Sequence, residues 1–210
     1  MNKRRQYRFD ESGQAVSGFF VCILFFLCGT FMGIFSARAL DATGAFILRG
    51  NVLSLIESIL GDYYTAPNFW MSLWLTGRYH LIAVFLGFSV LGVFLLPVLA
   101  AVRGFYLSFS IAALIRAFGP SAFPLALSLF GIWAVFTVPT LFFLLNHSFR
   151  TAVQLAGSLF SGPKVLFSHL YGRKFTVLTF LSFFTLVVVV LLELYFTRAL
   201  VLWTSSFLSL

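Results

Sequence analysis

The residues best suited to chemistry in this sequence are a few charged side chains placed inside long apolar runs. Glu193 lies well inside the last apolar run, and Arg198 follows it five residues later. A carboxylate within a membrane marks a functional site by default, for example in proton or cation transport. Because no second acid lies in any other apolar run, we expect Glu193 to pair with Arg198 rather than to serve a relay.

Two arginines bound a short apolar run from residue 104 to residue 118. Arg103 precedes Gly104 in the stretch LPVLAAVRGFYLSFS, and Arg116 stands just before Gly119-Pro120. A single basic residue at the end of a span usually marks the cytoplasmic surface, so Arg103 is expected in a tight cytoplasmic turn. Arg116 is expected to extend to the outer headgroups.

Other kinds of chemistry find no support in the sequence. His80, His147 and His169 are far apart and stand in no cluster with metal-ligand spacing. Cys22 and Cys28 share one apolar segment but point to different sides of a helix, which argues against a disulfide between them. There is no phosphate-binding loop and no nucleophile elbow. The sequence therefore predicts no enzyme, no catalytic residue, no metal and no cofactor.

The composition places the chain in a membrane. Of its 210 residues, 60% are hydrophobic and 10% are charged, and phenylalanine occurs 29 times. A soluble domain carries roughly a quarter charged residues. The net charge of +8 falls mostly in short tails and loops beside apolar runs. That is the positive-inside pattern, which indicates topology and not nucleic-acid binding.

These runs predict an all-α fold, a polytopic membrane helix bundle that forms a single domain. About five transmembrane helices are expected, together with an amphipathic interfacial helix. The expected spans are 15–37, 79–102, 104–118, 121–146 and 176–203. Residues 44–75 form the outer amphipathic segment, where apolar residues recur at helical spacing from 48 to 59. Residues 147–175 carry four basic residues and no acid, so they are expected to form a cytoplasmic loop.

Two alternatives concern topology. Residues 104–118 span only about 22 Å as a helix, which also suits one arm of a re-entrant hairpin. Five crossings agree better with the charges, because the basic loop then lies on the same side as the N-terminal tail. The first run also resembles a signal peptide with cleavage near Ala37, but it is longer than a signal-peptide core. We therefore expect a multi-pass cell-membrane protein with a cytoplasmic N-terminus and an extracytoplasmic C-terminus.

Small residues recur at positions that let helices approach closely. Several stand four residues apart, which forms ridges along the spans. Such ridges serve either packing within the bundle, which is the preferred interpretation, or contact with a partner. The candidates are Gly29, Gly33, Gly87, Gly92, Gly104, Ser108 and Ala112.

The stretch from residue 85 to residue 119 resembles the core signature of the stage II sporulation protein M family, small multi-span bacterial membrane proteins. The matching elements are Gly87, Gly92, Pro97, Arg103-Gly104-Phe105 and Phe109-Ser110. The order of the remaining elements also fits the family over nearly the whole chain. The resemblance implies a non-enzymatic scaffold in endospore formation. Its expected partners are membrane lipids and two peptidoglycan hydrolases, a lytic transglycosylase and an amidase/endopeptidase, which act in septal thinning and engulfment.

The residues themselves leave a second function open. A small membrane transport or permease-type subunit would use Glu193 or Arg116 and would need a cavity that reaches one of them. Nucleic acid is not expected as a partner, and the sequence sets no oligomeric state.

Overall fold

The computed structural model describes residues 3–61, 68–160 and 173–205, and this part of the chain is helical with no strand. Four helical segments are long and apolar enough to cross a membrane. They are Gly18–Arg38, Gly92–Phe118, Pro120–Ser158 and Thr176–Thr204. The predicted all-α class with membrane-spanning helices is confirmed at this level.

The described residues form seven α-helices, numbered in chain order. The first four are α1 (Lys3–Arg38), α2 (Ala42–Leu60), α3 (Phe69–Gly87) and α4 (Gly92–Phe118). A 3₁₀ turn (Pro120–Ala122) leads into a continuous helical run, made of α5 (Phe123–Ala126), a π-helical segment (Leu127–Gly131) and α6 (Ile132–Phe160). The last helix is α7 (Arg173–Ser205).

Short polar side chains fix where two of these helices begin. The Asp41 carboxylate accepts a hydrogen bond from the Gly44 amide at 2.9 Å, which caps α2. The Asn68 side chain accepts one from the Trp70 amide at 3.2 Å and caps α3. Both side chains satisfy amide groups that lack a partner at a helix N-terminus.

The predicted break at Arg103-Gly104 is wrong. Residues 92–118 form one helix of 27 residues, so neither the span 79–102 nor the span 104–118 exists as predicted, and the re-entrant alternative is wrong as well. The chain turns instead at residues 88–91, where the Ser89 hydroxyl accepts a hydrogen bond from the Leu91 amide at 3.2 Å. No charged residue marks this turn, and the arginine that suggested one lies inside a helix, where it has partners of its own.

Two further boundaries differ from the predictions. The outer segment 44–75 comprises most of α2 and the beginning of α3, while residues 62–67 lie outside the described part. The predicted loop 147–175 begins as helix, because α6 continues to Phe160; residues 161–172 lie outside the described part. The span predicted for 176–203 agrees closely with the apolar part of α7.

Helices α1 and α4 form the closest pair, and they run parallel. A Cβ atom on Gly29 would overlap the carbonyl group of Ala101, and one on Gly33 would overlap the Ser108 hydroxyl. One on Gly104 would overlap the Phe26 carbonyl. The contact of Gly33 with Ser108 lies further along both helices than that of Gly29 with Ala101, and the last turns of both helices line one groove, so the two helices are parallel. Small residues permit this backbone contact, as the preferred interpretation of the ridges expected.

The buried apolar residues form two clusters at different levels of the bundle. One joins α1, α3, α4 and α6 and includes Cys22, Ala83, Leu96 and Leu144. The other joins α2 to α4, α5 and α7 and includes Ile56, Leu114, Leu125 and Val201. The apolar side of α2 therefore packs against protein. The two clusters hold α3, α4, α6 and α7 around the polar side chains described next.

Candidate functional site

A cavity of about 290 Å³ lies among four helices and is lined largely by polar side chains within the apolar bundle. The lining comes from α3, α4, the π-helical segment with α6, and α7. Its polar members are Thr76, Arg78, Tyr79, Arg103, Tyr106, Ser110, Trp133, Thr137 and Glu193. At about 30 Å³ for each water molecule, this volume suits a small solute rather than a macromolecule.

Arg103 extends into the cavity from the middle part of α4. It is the twelfth residue of a 27-residue helix and is only partly exposed. Its guanidinium donates a hydrogen bond to the Thr137 hydroxyl of α6 at 3.3 Å. The predicted position of Arg103 in a cytoplasmic turn is therefore wrong, since its side chain lies between helices and contacts α6.

Tyr79 of α3 joins two arginines. The guanidinium carbon of Arg103 lies 5.2 Å from the centre of the Tyr79 ring, and that of Arg78 lies 5.1 Å from it. Arg78 also donates a hydrogen bond to the Tyr79 hydroxyl at 3.3 Å. A cation over an aromatic face gains more when water is displaced from around it. The buried Tyr79 ring thus holds both guanidinium groups at one level, with exposed Arg78 at the rim of the cavity.

Glu193 of α7 completes the charged set. Its side chain is partly buried and lines the same cavity as Arg103. We predicted Arg198 as its partner, and this pairing stays a prediction; Arg103 from another helix lines the same cavity as Glu193. Arg198 is exposed and does not belong to the residues that line the cavity.

Sequence reasoning missed the contribution of the helical run after Pro120. The π-helical segment ends at Gly131, just before Trp133 and Thr137 reach the cavity. Extra residues of this kind in a helical turn often occur at functional sites. Trp133 is buried, and its indole N–H has no hydrogen-bond acceptor in the part of the chain that the structure describes. A Gly and a Trp two residues apart in an apolar run were the available signal.

The remaining candidate residues lie elsewhere in the bundle. A Cβ on Gly87 would meet Ser148 of α6 at 2.9 Å, and one on Gly92 would meet Ala152 at 3.0 Å. Ala112 and Arg116 line a separate, larger groove beside α1, to which Ser108 also contributes. Contact with α6 therefore accounts for Gly87 and Gly92, whereas Ala112 borders the groove.

Metal ligation finds no geometric support within the described ranges. No three side chains of His, Cys, Asp or Glu come together there in a group able to hold an ion. Among the three histidines, His169 lies outside the described residues.

The arrangement favours negatively charged solutes. Two guanidinium groups and one carboxylate line the cavity, and the Trp133 indole N–H adds a hydrogen-bond donor without an acceptor among the described residues. Arginine provides several N–H donors in a fixed geometry that matches carboxylate and phosphate groups. A small anion in the cavity would compete with the Glu193 carboxylate for the Arg103 guanidinium.

In comparisons with known proteins, the chain matches no family model, no curated protein and no solved structure.

Proposed function

We propose that this chain is a small membrane protein of the transport or permease type that binds a small anion among its helices. The observation that carries the proposal is the cavity that Arg103 of α4 and Glu193 of α7 line together. Neither residue ends a helix, and each lies in a segment apolar enough to cross a membrane. Charged groups at such positions are costly, and they mark pathways for ions and substrates.

The parallel orientation of α1 and α4 supports a fifth crossing by α3. If both helices cross in the same direction, the chain must return between them, and α3 is 19 residues long, or about 28 Å. Arg78 and the other polar residues leave α3 less apolar than the four segments named above, as suits a helix that lines a polar cavity. Five crossings then put the N-terminus and residues 161–172 on one side, and charge favours the cytoplasm. We place α2 at the opposite surface.

Uptake by reconstituted protein tests this function. Proteoliposomes that contain the full chain are assayed with three radiolabelled probes: inorganic phosphate, acetate and succinate. We expect uptake of at least one of them, and a decrease of at least about tenfold in Arg103→Gln, since a hydrogen bond to a charged group contributes about 1.5–3 kcal/mol. Arg49→Gln removes an equal charge from the exposed side of α2 and serves as the control.

A second variant separates binding from release. Glu193→Gln is expected to bind the anion as tightly as the wild type or more tightly, because the carboxylate no longer competes for Arg103. Uptake by this variant should nevertheless be lost, at unchanged protein level in the membrane. Uptake of none of the three probes by the wild-type chain, or equal uptake by Arg103→Gln, contradicts the proposal.

The scaffold function implied by the resemblance to the stage II sporulation protein M family is a second proposal. One observation favours it: α2 exposes a polar side, which carries Arg49, Asn51, Ser54 and Glu57, and a partner has room to bind there. The small-residue ridges of α1 and α4 give the scaffold function no further support, since the two helices pack against each other through them. Co-purification of peptidoglycan hydrolases tests this function, and normal engulfment in a deletion strain would count against it.

A further inference from the structure

The groove beside α1 and α4 is separate from the cavity just described. It has a volume of about 720 Å³, within the range of roughly 300–1,000 Å³ that is usual for small-molecule sites. Its walls are mainly aliphatic, with Ile34 from α1 and Ile111 and Ile115 from α4. Gly119 and Pro120 close one end. Helices α1 and α4 both border the groove along their last turns.

Two arginines stand at the same end of this apolar groove. Arg38 is the last residue of α1, and Arg116 lies in the last turn of α4. Both side chains are exposed, and no acidic side chain lines the groove among the described residues. The spans Gly18–Arg38 and Gly92–Phe118 both end here. The two guanidinium groups therefore lie at a membrane boundary, where lipid phosphates are found.

The turn after α4 gives this end of the groove a defined shape. Gly119 has φ of +87°, a backbone conformation that L-residues with side chains rarely adopt, and its amide donates a hydrogen bond to the Ile115 carbonyl at 2.8 Å. Pro120 follows with its restricted φ angle. The chain therefore leaves α4 in a fixed direction. Arg116 lies in the last turn of a helix whose C-terminus is capped at Gly119.

We propose that this groove binds an anionic phospholipid, with an acyl chain along the aliphatic wall and the headgroup phosphate between Arg38 and Arg116. Charge complementarity selects this occupant. A transmembrane helix from a partner protein would cover the apolar wall but would leave two guanidinium groups without a counter-charge. A free anion would satisfy the arginines and leave the wall empty. A phospholipid matches both parts, since arginine binds phosphate groups through several N–H donors.

Lipid retention tests the proposal. The full chain is incorporated into vesicles of equal parts phosphatidylglycerol and phosphatidylcholine, extracted in mild detergent, and analysed by native mass spectrometry. We expect the wild type to retain phosphatidylglycerol over phosphatidylcholine by roughly tenfold to thirtyfold, as two arginines near an anionic headgroup suggest. The variant Arg38→Gln/Arg116→Gln should lose this preference. Arg49→Gln, which removes an arginine from the neighbouring helix α2, should keep it.

A second variant tests the apolar wall without a change of charge. Ala112→Leu places a larger side chain against the groove and should reduce retention of both lipids by several-fold, while the wild-type ratio between them persists. Equal retention of both lipids by the wild type overturns the proposal. So does release of the bound lipid by excess inorganic phosphate alone, which would assign the site to a free anion. These readouts do not depend on transport, so their failure is distinct from failure of the proposed function.

Discussion

Arg103 of α4 lies with its guanidinium carbon 5.2 Å from the centre of the Tyr79 ring of α3. The same guanidinium donates to Thr137 of α6 at 3.3 Å and lines one cavity with Glu193 of α7. One side chain from α4 therefore contacts α3 and α6 and shares a cavity with an acidic residue of α7. An arginine inside an apolar helix is stable when neighbouring helices supply its partners, and here they also place it where a solute can bind.

The first prediction concerns the coupling between Arg103 and Glu193. Arg103→Gln removes the positive charge that acts on the partly buried carboxylate, so the free energy of unfolding should fall by up to about 3 kcal/mol. The double variant Arg103→Gln/Glu193→Gln should be more stable than Arg103→Gln alone, because no unbalanced charge remains. Unfolding in bicelles, measured for all four members of the cycle, gives the interaction energy.

Strictly additive effects in that cycle would show that the two charges do not interact, contrary to this prediction. Thr137→Val provides a comparison, since it removes only the hydroxyl group that accepts from Arg103. Its effect should be smaller, about 1 kcal/mol, as is usual for one hydrogen bond.

The second prediction separates stability from binding at Trp133. The indole N–H is buried without an acceptor in the described part of the chain, and such a group costs about 1–3 kcal/mol. Trp133→Phe removes the donor and keeps an aromatic ring, so the free energy of unfolding should change by less than about 1 kcal/mol. If the donor serves a bound anion, affinity for the transported probe should fall by roughly threefold to tenfold. A lower free energy of unfolding with unchanged affinity for the probe would contradict this prediction.

The third prediction concerns the parallel contact of α1 and α4. A methyl group on Gly29 would overlap the backbone of Ala101, which cannot move without separating the helices. Gly29→Ala should therefore destabilise the bundle by about 1–3 kcal/mol, the usual cost of overpacking. The measurement is the apparent melting temperature in a mild detergent.

Gly50→Ala is the matched control for that substitution. Gly50 lies in α2, and no atom lies within 4 Å of a Cβ built on it. The same change should therefore raise stability by about 0.5–1 kcal/mol through helix propensity. If both variants were equally stable, the tight contact at Gly29 would be disproved.

Apolar runs and small residues predicted much of the fold. Length and composition identified the membrane-spanning helices, and the spacing of Gly29, Gly33 and Gly104 indicated close packing. These features are local, so the sequence records them directly. The turn between α3 and α4 was missed because residues 88–91 carry no charge, whereas Arg103 does. In the sequence, a charged residue inside a helix looks the same as one at a helix end, because its partners lie on other helices.

The cavity could be predicted only in part, because its residues come from different helices. Glu193 was recognised as a candidate, and its pairing with Arg198 stays a prediction. Arg103, 90 positions away in the sequence, lines the same cavity, a relationship that no periodicity within one helix encodes. Trp133 and the π-helical segment remained unnoticed because their chemistry depends on what they face.

The last prediction tests whether α3 crosses the membrane, and it uses cysteine labelling in intact cells. Cys22 and Cys28 are first replaced by Ala and Ser, and single cysteines are then introduced at Ser89, Val102 and Ser121. If α3 crosses, Ser89→Cys lies at the cytoplasmic turn and Ser121→Cys at the outer one, so a membrane-impermeant maleimide should label only Ser121→Cys from outside. Ser89→Cys should react after permeabilisation. Val102→Cys lies inside α4 and should stay unreactive under both conditions.

Labelling of Ser89→Cys from outside would place both ends of α3 on one side of the membrane and would exclude the fifth crossing. Strong labelling of Val102→Cys would instead restore a turn next to Arg103, and with it the boundary that the charge alone suggested.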